Sequence, residues 1–134
     1  MNPIITIPLG FSNAILIQET GTILVDTGAP TSFERYRRVF DKLRVDPRNI
    51  QLIVITHGHT DHFAYASELR ELTGAPVLCH AQALPALRTG RNPPVHARNE
   101  LGESVLKMIA GKEPRASGPI EPDILIDSVY DLAY

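Results

Sequence analysis

Isoleucine, leucine and valine arrive in short runs at the start of the chain, "IITIPLG", "NAILIQE" and "TILVD", separated by "GFS" and "ETG". Aliphatic runs bounded by small and polar turn residues predict adjacent strands, here an opening β meander. After "TGAP" the period changes. Phe33, Tyr36, Phe40 and Leu43 recur at spacings of three and four, which predicts a helix capped by Thr31 or Ser32 and stopping near Val45, before Pro47. "IQLIVIT" then reads as an apolar strand buried on both faces. Phe63, Ala66, Leu69 and Leu72 predict a second helix closed by Gly74 and Pro76, and "PVLCH" predicts another buried strand. The resulting order of strand, helix, strand, helix, strand is that of an α/β domain.

The pattern weakens beyond His80. "AQALPALRTG" supports a short helix and "RNPPVHARN" a loop, whereas "ELGESVLKMIAG" places Leu101, Val105, Met108 and Ile109 on one helical face. "KEPRASGPIEPD" is a polar connection into a last predicted strand, "ILIDSVYDL". No repeat or low-complexity tract interrupts the chain, so residues 1–134 read as a single domain.

Composition narrows the function classes. With 134 residues, 43% of them hydrophobic, the chain can build one core, and its formal charge of −2 does not favour a polyanion. The basic "RYRR" at Arg35–Arg38 is flanked by Glu34 and Asp41 and reads as a solvated helix face, so no nucleic-acid partner is expected. Pro8, Gly10 and Asn13 interrupt the first apolar stretch, and no membrane span or basic leader is expected. A lone cysteine, Cys79, sits inside an apolar strand and reads as core; it fits a reducing, cytoplasmic setting.

The candidate chemistry is concentrated in "VITHGHTDH", residues 54–62. In an extended segment His57 and His59 project to the same side, half of a metal site. Asp61 and His62 follow at the turn into the next helix, where they can offer oxygen and nitrogen to a second ion. Mixed imidazole and carboxylate donors suit zinc, with iron or manganese as alternatives. A serine hydrolase fits poorly, because no G-x-S-x-G elbow is present.

The motif T-H-x-H-x-D-H, together with "NAILIQETGTILVDTG" before it and "TGAPVLCHAQALPALRTG" after it, resembles the metallo-β-lactamase superfamily of metal-dependent hydrolases. The resemblance implies the α/β, or α+β, fold of that family, an αββα sandwich, of which this sequence carries an incomplete N-terminal half. It implies that His57 and His59 hold one metal and Asp61 and His62 a second, with Asp61 also the catalytic proton acceptor. Asp26, in "VDTG", would lie behind the ligands and orient their loop by hydrogen bonds. The family's G-H motif, bridging aspartate and last histidine have no counterpart after His62, where only His80 and His96 remain. His80 is the candidate substitute ligand. Phe63 and Tyr65 stand where relatives commonly carry glycine and are expected to alter the floor of the substrate cleft.

The function so implied is hydrolysis of an ester, lactone, thioester or related bond in a small-molecule substrate, inactive or weak in this chain alone. Two alternatives accompany it: a short protein that completes its metal site as a homo-oligomer or with a complementing chain, and a non-catalytic interaction module. An apolar sheet face and an unpaired strand edge are expected to remain open.

Overall fold

The first three apolar runs pair as the expected meander. In the computed structural model, which describes residues 3–29, 32–111 and 118–132, β1 (Ile4–Pro8), β2 (Asn13–Gln18) and β3 (Thr22–Val25) are antiparallel neighbours. Helix α1 (Glu34–Leu43) then carries the chain to β4 (Ile50–Ile55), which lies parallel to β3. Helices α2 (Thr60–Phe63) and α3 (Ala66–Thr73) lead to β5 (Val77–His80), parallel to β4. After α4 (Leu84–Thr89) and α5 (Glu100–Ile109), β6 (Ile124–Ile126) pairs parallel to β5 and completes a six-stranded sheet in sequence order. The mixed α/β class expected from the sequence is therefore observed.

One face of this sheet is closed. Register places Leu16, Leu24, Ile53 and Val77 in a row, and they form one buried cluster with Tyr36 and Phe40 of α1 and Leu69 of α3. The opposite face carries another apolar row, Ile15, Val25, Val54, Leu78 and Ile124, of which all but Leu78 are only partly buried. Strands β1 and β6 form the two edges.

Local differences from expectation have identifiable causes. Thr31 lies outside the described residues, and Ser32 does not cap α1; Phe33 takes the N-cap position without a side-chain hydrogen bond, while the Ser32 carbonyl accepts the Arg35 N–H at 3.2 Å. The helix predicted from Phe63 to Leu72 is broken at Ala64 and Tyr65. Thr27 causes the break: its N–H takes the His62 carbonyl at 2.7 Å and its hydroxyl oxygen takes the Tyr65 N–H at 3.1 Å, removing both groups from a continuous helical ladder. Gly74 closes α3 in the left-handed conformation, φ 74°. Phe63 is fully buried in the core, and neither it nor Tyr65 is among the residues lining the cleft described below.

The last elements depart furthest. Helix α5 buries none of its residues, so the face predicted at Leu101, Val105, Met108 and Ile109 is exposed, Leu101 by 73%. The final strand spans only three residues, and Val129, Tyr130 and Leu132 beyond it are also exposed. The segment before it is nevertheless fastened. Arg88 grips the Glu121 carboxylate through two bonds of 2.6 and 2.7 Å, Arg70 donates to the Glu121 carbonyl at 2.8 Å, and Asp123 accepts the Val77 N–H at 2.8 Å. Among the described residues no helix is long and apolar enough to cross a membrane.

Tyr36 is fully buried, and its hydroxyl has no hydrogen-bond partner among the described residues. Burial first, then the nearby Tyr65 and Asp26, push its phenol pKa upward, so it stays neutral. An unsatisfied buried hydroxyl costs about 1–3 kcal/mol. Tyr36→Phe is therefore expected to raise stability by about 1 kcal/mol in urea unfolding, with an unchanged m-value. Destabilisation would mean that the hydroxyl is bonded.

Candidate functional site

Strand β4 is central in the sheet, and its C-terminal end delivers Thr56, His57, Gly58 and His59 to one rim. The chain leaves β4 after Ile55, bends at His57 and Gly58, and enters α2 after its N-cap residue His59, which brings His62 back beside His57. The His57 ring centroid lies 4.8 Å from that of His59 and 4.1 Å from that of His62. The Asp61 carboxylate approaches His62 Nε2 at 3.5 Å. All four candidate ligands thus occupy one turn. Gly58 is needed for close packing: a Cβ there would fall 2.9 Å from the Ala86 Cβ and 3.3 Å from the Ala83 carbonyl oxygen.

The backbone of this turn is held from four directions. Ser12 donates its hydroxyl to the Asp61 carbonyl. Thr27 donates both its N–H, at 2.7 Å, and its hydroxyl, at 3.1 Å, to the His62 carbonyl. Asn92 Oδ1 accepts the buried Thr60 N–H at 2.7 Å. Asp26, itself buried, accepts the Thr56 N–H at 2.8 Å. Sequence reasoning found Asp26 and missed Ser12, Thr27 and Asn92.

Asp26 also determines how the imidazoles are protonated. An ionised carboxylate only accepts hydrogen bonds, so at Oδ2 both the Thr56 hydroxyl, 2.7 Å away, and His62 Nδ1, 2.8 Å away, must donate. Having given its one hydrogen to Asp26, the Thr56 hydroxyl can only accept from His57 Nδ1 at 3.0 Å. Both rings therefore carry hydrogen on Nδ1, so Nε2 is the nitrogen each can turn to a ligand; that of His62 faces the Asp61 carboxylate at 3.5 Å. Burial, reinforced by His62 and His59, lowers the His57 pKa from 6.5, keeping that ring neutral at physiological pH.

His80 is arranged the opposite way. Its Nδ1 accepts the Gln82 N–H at 3.1 Å, so the ring hydrogen resides on Nε2 and neither nitrogen offers a free lone pair in this arrangement. His80 lines the same cleft as His57 and His59 and caps a short 3-10 turn, Ala81–Ala83. The cleft, about 600 Å³, lies between the histidine turn, α4 and the loop from Arg91 to Pro94.

The donor chemistry of the turn fits a divalent metal, since two imidazoles have their Nε2 positions prepared for coordination and a carboxylate stands beside one of them. The number of donors is short of a full set: among the described residues no group of three or more His, Cys, Asp or Glu side chains is arranged to hold an ion. A catalytic zinc ordinarily has about three protein ligands. The reason is visible in the geometry, where the donors are distributed along one turn and, among the described residues, no other element completes a group of three around them.

Two measurements test this site. Long-range proton–nitrogen NMR spectra at neutral pH are expected to show His57 and His62 as Nδ1–H forms and His80 as the Nε2–H form, with His57 titrating below 6.5. Thr56→Val is expected to free the His57 tautomer and leave that of His62 unchanged; an Nε2–H form at His57 in the unaltered protein would eliminate the relay. Gly58→Ala is expected to destabilise by about 1–3 kcal/mol in urea unfolding through overpacking against Ala86. Pairing it with Ala86→Gly should recover part of that loss, and strict additivity of the two would refute the contact.

Comparison with known proteins gives the family and the fold. The family model described as the metallo-beta-lactamase superfamily matches residues 7–131. An uncharacterized protein of Mycobacterium tuberculosis and its counterpart in Mycobacterium bovis are each 29% identical over 114 residues, covering 81% of this chain and 46% of their own. Among solved structures, BJP-1, a subclass B3 metallo-beta-lactamase of Bradyrhizobium japonicum, is similar at 25% identity and TM-score 0.69, over 95% of this chain and 43% of that one. MEM-A1, a subclass B3 enzyme from a soil metagenome library, is similar at 28% identity and TM-score 0.64, over 90% of this chain and 42% of that one. The chain spans less than half the length of these relatives. It belongs to the metallo-beta-lactamase superfamily and carries the fold of a metal-dependent hydrolase.

Proposed function

We propose that this chain supplies the N-terminal half of a metal-dependent hydrolase, and that His57, His59, Asp61 and His62 are its share of a two-metal site. The observation that carries the reading is the set of hydrogen bonds by which Asp26 reaches His62 Nδ1 directly and His57 Nδ1 through Thr56, which directs the Nε2 side of both rings away from these supports on a turn held from four sides. His57, His59, Asp61 and His62 would hold these ions, zinc by preference and iron or manganese as alternatives, which would supply water activation and polarisation of the scissile group of an ester, lactone, thioester or related substrate. Asp61, with 35% of its side chain exposed, is the residue of this chain able to accept a proton there. Asp26 and Thr56 hold the ligand rings in orientation and tautomer. The remaining donors come from polypeptide outside the described residues. The natural setting is the cytoplasm, where an unpaired thiol such as the buried Cys79 stays reduced.

The partly open apolar row on the second sheet face favours one further reading, in which the covering layer and missing donors come from another copy of this chain or from a complementing chain. Zinc titration followed by histidine ring resonances tests both. Zinc is expected to shift the His57, His59 and His62 signals weakly, and His57→Ala/His59→Ala to abolish the shift at His62 while amide dispersion is retained. Affinity that rises with protein concentration would identify a copy of the chain as the source of further donors. Ring signals unmoved by excess zinc would refute the metal-binding reading.

A further inference from the structure

The cleft beside the histidine turn has a chemical character of its own. Its walls are predominantly apolar, with Ala83, Pro85, Ala86, Pro93 and Pro94 among them, and among the described residues no aspartate or glutamate lines it. Arg91 does. Its guanidinium has no hydrogen-bond or ion-pair partner among the described residues, in contrast to Arg88 on the preceding turn, which is occupied by Glu121. His80 adds a second donor, because acceptance of the Gln82 N–H at Nδ1 leaves a hydrogen on Nε2.

The position of Arg91 is defined from both sides. Its own N–H reaches the Ala86 carbonyl at 3.3 Å at the end of α4, and the next residue, Asn92, is tied to Thr60 at 2.7 Å. The following Pro93 and Pro94 restrict the backbone further. The loop bearing the cation is thus anchored to the turn bearing the histidines, and both border a space of about 600 Å³, within the size range of small-molecule sites.

We infer that this cleft binds a small molecule with an apolar body and a carboxylate, the carboxylate meeting Arg91 and the body lying against the alanine and proline walls. A planar guanidinium matches a carboxylate through paired hydrogen bonds, and a cleft without acidic side chains adds no repulsion. A phosphate fits less well, since a single arginine would face a doubly charged group against mostly apolar walls. As a statement about substrate, the inference rests on the hydrolase reading, which puts the reacting end near His57 and His59. As a statement about binding it can be tested without metal.

The experiment is an NMR titration of the whole chain, kept metal-free with chelator, using phenylacetate and its neutral counterpart phenylacetamide as probes. Phenylacetate is expected to shift the amides of Ala83, Ala86 and Thr89 and to bind about three- to tenfold more tightly than phenylacetamide. Arg91→Gln should erase that preference with the fold retained, and Arg91→Lys should keep part of it. Equal binding of the two probes, unchanged preference in Arg91→Gln, or shifts confined to the open sheet face would each overturn the inference. Because no metal is present, a failed zinc titration with Arg91-dependent binding of phenylacetate would remove only the hydrolase reading. Zinc binding without carboxylate preference would remove only this inference.

Discussion

A carboxylate buried at the end of a central strand has to be matched by donors, and the donors Asp26 finds organise the rest of the site. It accepts from the Thr56 backbone, the Thr56 hydroxyl and His62, linking the end of β3 to the turn after β4. Its own backbone sits at φ 57°, in the left-handed region, where aspartate is among the better tolerated non-glycine residues. Both requirements select the same side chain. Asparagine suits the backbone but offers an amide where an acceptor is needed; glutamate keeps the charge but loses the reach and the conformational tolerance. The parallel neighbours β3 and β4 are what bring the carboxylate and the turn together, so the sheet is a precondition of the imidazole geometry.

The two sheet faces behave differently for one physical reason. Helices α1 and α3 provide apolar stripes that close the first face, whereas the helix capable of offering another stripe, α5, buries none of its residues. An uncovered row of isoleucine and valine costs free energy in proportion to its apolar area, about 25 cal/mol per Å². In the proposed hydrolase, the open face and the short donor set are two aspects of one division of the fold: what would cover the face is also what would bring the remaining donors.

Much of this was legible in the residues. The apolar runs and the change from period two to spacings of three and four gave the meander, α1 and the parallel strands, because burial on one side imposes that pattern. The histidine turn was legible because its residue types and spacing are themselves the chemistry. Its supports were not: Ser12 reaches Asp61 across 49 positions, Thr27 reaches His62 across 35, and Asn92 reaches Thr60 across 32. Such contacts depend on tertiary approach, and a serine, threonine or asparagine carries no local mark of it. Thr27 also broke a helix whose apolar spacing was continuous, an instance of tertiary hydrogen bonding overriding pattern. In α5 the periodicity identified a side able to be buried, without specifying anything to bury it against.

Cys79 lies fully buried in β5, between two hydrogen-bonded strands, and is the sole thiol of the chain. Burial also pushes its pKa upward, so little thiolate forms near neutrality. A thiol reagent can reach it only when β5 parts from its neighbours or the helices lift from the core. The rate of Cys79 modification is thus an internal clock for opening of the sheet, and slowing of that clock would report the arrival of any layer that closes the exposed face.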